Sequence, residues 1–465
     1  MWGSQPRFKQ SPAELIRPAS EGINTQGNIF EISKGECSKC LNISNRNYPA
    51  ISTRPGRTKE FGTATSVITK CNAAGARLAS IAHVLDGTVW KYWNVATSAW
   101  INVATGVTDA TGKFLEFGTA ADKFTLLING TYKKAWNGSG SPTDLTGAPA
   151  TKLMCTDDYR LYALHDNIIK ASAGGSVTDW TTLDDAWQEP LAGMIGVGTA
   201  ITAFNDMVIA FSDQTMHILM GNNAADSTLL DPTNCGCISD KSIVKYDGVL
   251  FFMDYYKFKA FTGGIPVDIS QKVSKYLDEI NYTYKNKIVA GNWGKYIYLS
   301  IPYGAGVTEN TITLEYNTEL RIWFAWDMGF VDFINIGEFL YGVDVDGVAW
   351  KMQQGTADVA AAIGWSFETG VWNALPVRPK KTISNYFALM NLPVGSTCKI
   401  EYSITSAGED WATLHTFTAS AVTQNVPVMI PTTILQNVNF YRLKFSGTGP
   451  MDLYYIETDV RVKSR

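Results

Sequence analysis

The sequence predicts an all-β protein: a β-propeller of six or seven blades, preceded by an extended N-terminal arm and followed by a C-terminal β-sandwich. Three observations predict it. Only 18% of the 465 residues are charged, whereas 12% are aromatic and 40 are glycine, the balance of a chain with many tight turns and closely packed short strands. Hairpin signals recur through the middle of the chain at a nearly constant interval. The local pattern also changes near residue 60 and again near residue 355, which divides the chain into 1–60 (arm and first strand), 61–355 (propeller) and 356–465 (sandwich).

The first segment carries Pro6, Pro12 and Pro18 and little periodicity. Such a segment is either docked on a neighbour or frayed. From residue 61 apolar or alternating runs are split by turn dipeptides: Asp86-Gly87, Asn129-Gly130, Asp166-Asn167, Asp213-Gln214, a turn near Asp254 preceded by Asp247-Gly248, and Asp346-Gly347. Asn-Gly and Asp-Gly between β-rich runs favour type I′ hairpins, whose two central residues need positive φ. The intervals between these turns are about 40–50 residues, the period of propeller blades. The gap between 254 and 346 holds two units, the first being "AGNWGKYIYLSIP" with "NTITLEYNTELRIWFAWDM". Paired sandwiches or a β-solenoid are the competing arrangements of such strands. One stretch breaks the rhythm: in residues 270–285, Val273, Leu277 and Ile280 follow Ser270 at helical spacing, which predicts a short helix capped by Ser270 on a blade rim. Beyond 355, segments such as "CKIEYSIT" and "YRLKFSG" alternate with period two between Gly, Ser and Thr turns, as a sandwich or small barrel requires.

The formal net charge is −4 and the pI is near 5.7, so no basic surplus supports sequence-independent binding of nucleic acid. No run of 18 apolar residues is present, nor an apolar leader core, and the expectation is a chain made and assembled in a cytoplasm without membrane insertion.

Candidate chemistry is sparse. Cys37-x-x-Cys40 is half a zinc site, but Cys235-x-Cys237 has the wrong spacing to complete it, and His83, His165, His217 and His415 are scattered. With Cys71, Cys155 and Cys398 the cysteine count is seven, and reduced, buried thiols are expected. The doublets Asp157-Asp158 and Asp184-Asp185 put adjacent carboxylates on opposite faces of a strand, so they read as turn residues and not as an acid/base pair. "SAGGSVTDW" (172–180) and "SAGEDW" (406–411) approximate a turn-stabilising Asp box without its full spacing. Nucleotide-binding, nucleophile-elbow and zinc-protease motifs are absent. The aromatic groups Trp90, Tyr92, Trp93 and Trp323, Phe324, Trp326 could stack sugars or bases but fit blade core better. No catalytic, cofactor-binding or metal residue is assigned, and no enzyme activity is expected.

Two ordered sets of short motifs carry a resemblance. The first is Gly22-Ile23-Asn24, Gly35-Glu36, Asn42 and Arg54-Pro55-Gly56. The second is Gly236-Cys237-Ile238-Ser239, Ser242-Ile243-Val244, Asp247-Gly248, Phe251-Phe252, Gly263-Gly264 and Ile269-Ser270. In this order they resemble the β-propeller tail hub and nozzle proteins of short-tailed bacteriophages, over the layout of residues 20–355. The chain departs from that pattern at Glu21-Gly22, where a double glycine is usual, at Glu36-Cys37, where Glu-Ala is common, and at Tyr255-Tyr256, where an Asp-Gly turn is usual. The resemblance implies a structural virion protein assembled in the host cytoplasm. It would form a ring of six copies that extends the portal–adaptor channel, contacts tail fibres or spikes, and conducts double-stranded DNA during ejection. An acidic lumen would suit that role, because a basic wall holds DNA through counterion release. The alternative reading is a receptor- or carbohydrate-binding propeller that uses exposed tryptophans.

Overall fold

In a computed structural model the described residues are 8–10, 14–62, 68–108, 111–119, 122–157, 159–181, 185–221, 223–372, 380–405, 410–428 and 434–463. Seven four-stranded antiparallel sheets follow one another along the chain. Their innermost strands are Cys71–Arg77, Lys113–Phe117, Met154–Thr156, Gly198–Phe204, Val244–Tyr246, Val289–Trp293 and Asp332–Ile336, so a new blade begins every 41–46 residues. We number these blades 1 to 7 in that order. The six sheets of blades 1–6 are consecutive meanders, as the recurring hairpins require.

The turns are more varied than the dipeptides suggest. Positive φ at both central residues occurs at Asp166-Asn167, Asn205-Asp206 and Asp247-Gly248. At the Asp86-Gly87 signal only the glycine is left-handed, because Asp86 is the last residue of its strand and the turn is Gly87-Thr88. A glycine in the first central position gives the mirror-image type II′ instead.

Blade 7 borrows its outer strand. Ala349–Lys351 pairs antiparallel with Thr58–Glu60, a segment that precedes blade 1, so the ring is closed by hydrogen bonds between distant parts of the chain. Arg57 stacks on the Trp350 ring at 3.9 Å beside this seam. Closure of this kind ties the last blade to the chain just before the first.

The blades approach so closely near the axis that glycine is needed on some inner strands. A Cβ on Gly75 of blade 1 would lie 2.4 Å from the Phe114 Cβ of blade 2, and one on Gly291 of blade 6 would lie 2.5 Å from the Phe333 Cβ of blade 7. Gly75→Ala is therefore expected to lower stability by about 1–3 kcal/mol through overpacking. Thermal unfolding of the variant checks this, and an unchanged midpoint would mean that the blades part freely.

Two larger sheets form a sandwich. One has the order Cys37–Leu41, Gly364–Thr369, Arg442–Thr448, Thr397–Ser403, Ala412–Thr418. The other has the order Ile43–Ser44, Ile51–Thr53, Asp452–Lys463, Lys381–Leu392, Thr423–Val428. Phe8–Gln10 and Glu14–Ile16 also pair with Asp452–Lys463. The described part of the first segment is thus no free arm: its strands are extended, but they are bonded into the sandwich of their own chain and, at Thr58–Glu60, into blade 7. The propeller is an insertion between the two halves of that sandwich.

The expected helix is a run of three pieces: 3₁₀ turns at Gln271–Val273 and Tyr282–Lys287 flank an α-helix at Ser274–Asp278. Ser270 does not cap it. The Ser270 hydroxyl accepts the Phe258 N–H at 2.9 Å and donates to Asp268. Val273, Tyr276, Leu277 and Ile280 are buried in the core shared by blades 5 and 6, the sandwich and the amino-terminal segment. The helix is a spacer between domains and not an exposed rim.

Candidate functional site

Polar side chains from several blades converge on the propeller axis. A cavity of about 440 Å³ opens at the face where the inner strands begin, and blades 1–4, 6 and 7 and the segment between blades 4 and 5 contribute to its wall. Its size falls within the usual range of about 300–1,000 Å³ for small-ligand sites. Six lysines line it (Lys70, Lys113, Lys152, Lys241, Lys285 and Lys287) against two carboxylates, Asp240 and Glu309. In a chain of net charge −4 this is a local reversal of sign.

The floor of this funnel is the 3₁₀ turn Asp240–Ser242, inserted between blades 4 and 5. Asp240 receives the Lys113 ammonium of blade 2 at 2.6 Å and the Ile201 N–H of blade 4 at 3.1 Å. Lys241 reaches Asp332 of blade 7 at 2.8 Å and the Asn72 carbonyl of blade 1 at 3.5 Å. Two consecutive side chains therefore tie four blades together across the axis. Asn310 links two more elements, donating to the carbonyls of Lys287 and Phe330 at 2.6 and 2.7 Å. Nearer the rim, Lys287 pairs with Glu309, and Lys285 donates to the Tyr255 hydroxyl. Nothing in the sequence separated Asp240 and Lys241 from ordinary turn charges; their meaning depends on seven blades meeting at one point.

The first set of residues that carry the resemblance gathers at the joint between sandwich and propeller, whereas the second set lies in and just before blade 5, with Ile238 and Ser239 in the funnel wall. Gly22 has φ +76°, and a Cβ there would meet the Trp323 carbonyl oxygen at 2.7 Å. Glu36 accepts from Asn24 at 2.8 Å and pairs with Lys272 at 2.8 Å. Burial pushes its carboxyl up, but Lys272, Asn24 and the Ser33 N–H together hold it below the usual carboxylate value. Asn42 is left-handed at φ 56° and has three side-chain partners: it donates to the Gly364 carbonyl at 2.7 Å and accepts from Arg54 Nε at 2.9 Å and the Asp327 N–H at 3.2 Å. Arg54 forks onto Asp358 at 2.9 and 2.8 Å. A Cβ on Gly56 would lie 2.1 Å from the Ala357 carbonyl oxygen. Beside this joint Glu315, fully buried, accepts from Ser44 at 2.8 Å and Arg46 at 2.6 Å, with the Tyr298 hydroxyl at 3.1 Å.

The other candidates are dispersed. All seven cysteines are free and buried, and burial raises the thiol pKa of Cys71, Cys155, Cys237 and Cys398 to about 12. Among the described residues no three His, Cys, Asp or Glu side chains are placed to hold a metal. His83 is buried and accepts the Trp90 indole N–H at 3.0 Å; burial and then Arg77 push its pKa down to about 3. Asp157 caps its own turn through the Arg160 N–H at 2.7 Å, and Asp185 is paired with Arg160. Asp158, Asp184 and residues 406–409 lie outside the described residues. Trp90, Trp323, Phe324 and Trp326 are buried in the blades, while Tyr92 and Trp93 are half-buried.

No family model and no curated protein matches this chain. Among solved structures, a chain of the mitotic checkpoint complex aligns with 70% of this chain and 96% of its own length, at 10% identity and a TM-score of 0.42. A streptogramin B lyase aligns with 63% of this chain and 96% of its own, at 9% identity and the same TM-score. The chain is a seven-bladed propeller carried on a sandwich. That description rests on the seven sheets themselves, and neither likeness bears on function.

Proposed function

We propose that this protein is a structural component of a short-tailed phage virion, forming a closed ring of six copies in the tail hub or nozzle through which DNA passes. One observation carries the reading. The amino-terminal set of residues shared with that family is spent on holding the sandwich to the propeller: Gly22, Glu36, Asn42, Arg54 and Gly56 all sit in the joint. A signature made of joints and not of reactive groups suits a building unit. Because Asp240 and Lys241 close the propeller axis, the DNA path is the lumen between copies and not the bore of one propeller. Large apolar side chains are exposed on the outer parts of neighbouring blades 4 and 5, at Met220, Leu230, Ile265 and Val267. A side surface of this kind supports a heterologous contact, which rotation closes into a ring. The carbohydrate-binding alternative depends on tryptophans such as Trp90, Trp323 and Trp326, which are buried.

Light scattering on the purified full chain, alone and mixed with portal and adaptor proteins, tests the assignment. The expected particle is six times the 51.0 kDa chain mass. A monomer under both conditions would overturn it.

A further inference from the structure

We infer that the axial funnel is a binding site for a compact, multiply charged phosphate-bearing anion. The floor and rim contacts leave two of the six lysines unmatched. Lys113 and Lys241 are matched by Asp240 and Asp332, Lys287 by Glu309, and Lys285 by Asp213 at 3.9 Å. Lys70 and Lys152 are exposed, line the same cavity from blades 1 and 3, and have no ion-pair partner among the described residues. Like charges gathered from separate blades repel one another in the empty funnel, and a counter-anion relieves that repulsion.

The position of Lys70 is built. Asp86 Oδ1 accepts the backbone N–H groups of Thr69 and Lys70, each at 3.0 Å, and the Thr69 hydroxyl at 2.8 Å. This fixes the main chain from which the Lys70 side chain projects. Besides their carboxylates, Lys113 donates to the Met154 carbonyl at 3.2 Å and Lys241 to the Asn72 carbonyl at 3.5 Å, which leaves each ammonium one spare N–H of its three.

The chemistry of the donors selects the ligand class. The funnel wall holds six lysines and no arginine. Ammonium groups bind phosphate as point charges without fixing one planar geometry, and several of them converging suit an ion with many oxygens and high charge density, such as a di- or triphosphate. The cavity of about 440 Å³ accepts a ligand of that size. A phosphate of this kind has two sources, a free polyphosphate or the phosphorylated end of a nucleic acid strand.

Titration calorimetry on the full-length protein at low ionic strength tests the site with inorganic tripolyphosphate. The expected result is saturable binding that weakens as salt is raised. The Lys70→Gln/Lys152→Gln variant is expected to lose at least about tenfold in affinity, and Lys257→Gln, an exposed lysine on the blade 5 hairpin, none. Both funnel lysines are exposed, so the double variant should fold, and its unchanged circular dichroism verifies this. Parallel titrations with a 5′-phosphorylated and an unphosphorylated short oligonucleotide identify the source: preference for the phosphorylated strand assigns a strand end, and binding of tripolyphosphate alone assigns a free polyphosphate. No saturable tripolyphosphate binding, or equal binding by the double variant, overturns the site. The inference does not rest on ring assembly, and a chain that remained monomeric would still bind.

Discussion

Replacing Arg46 by methionine is expected to cost about 3–5 kcal/mol of folding stability, because it leaves the carboxylate of Glu315 buried without its cation. Glu315 belongs to the third strand of blade 6 and is completely buried; Arg46 comes from the amino-terminal segment and is almost so. The guanidinium also lies over the Tyr296 ring at 4.2 Å and is flanked by Trp293 at 5.3 Å. Burial works against its charge, but Tyr298 and Glu315 more than offset this and raise its pKa above the ordinary value. The double variant R46M/E315Q is expected to regain most of the loss, since a neutral amide needs no cation. Denaturant unfolding followed by tryptophan fluorescence gives both numbers. If R46M unfolds like the parent, the ion pair does not hold the two domains together.

Trp323→Ala is expected to cost a similar amount, about 3–5 kcal/mol, by opening a large cavity. Its indole is 1% exposed, packs on Tyr316 with ring centroids 4.6 Å apart and on Phe258 at 6.0 Å, and donates to the Ile269 carbonyl at 2.9 Å. Its own carbonyl accepts the Ile23 N–H at 2.9 Å, directly under Gly22. One side chain therefore spans blades 5 and 6 where the amino-terminal segment rests on them. Trp323→Phe should fall between parent and alanine, keeping most of the apolar contact but leaving the Ile269 carbonyl without its donor. Thermal unfolding of the three proteins orders them, and equal midpoints would show that the indole is peripheral.

The blade period was legible because each hairpin is local: two strands and a turn of a few residues carry their own signal, as at Asp247-Gly248. The helical break at 270–285 was legible in its apolar spacing, but not its position, since the spacing of Val273 and Leu277 says that a face is buried and not against what. The Ser270 cap was misread because a serine before an apolar run looks the same whether its hydroxyl bonds the helix or, as here, the neighbouring strand. The funnel was not legible at all. Lys70, Lys113, Lys152 and Lys241 lie up to 171 positions apart in the chain and share no motif.

By itself the sequence determined the strand-rich class, the repeat of about 40–50 residues and the order of short motifs, since alternation and turn chemistry act between near neighbours. Tertiary structure alone decided that Thr58–Glu60 closes blade 7, that Cys37–Leu41 pairs with Gly364–Thr369, and that Asp240 and Lys241 meet four blades on the axis. A strand's period of two fixes which face is buried but leaves its edges free to pair with any partner, so only the folded chain selects which distant strand completes each sheet.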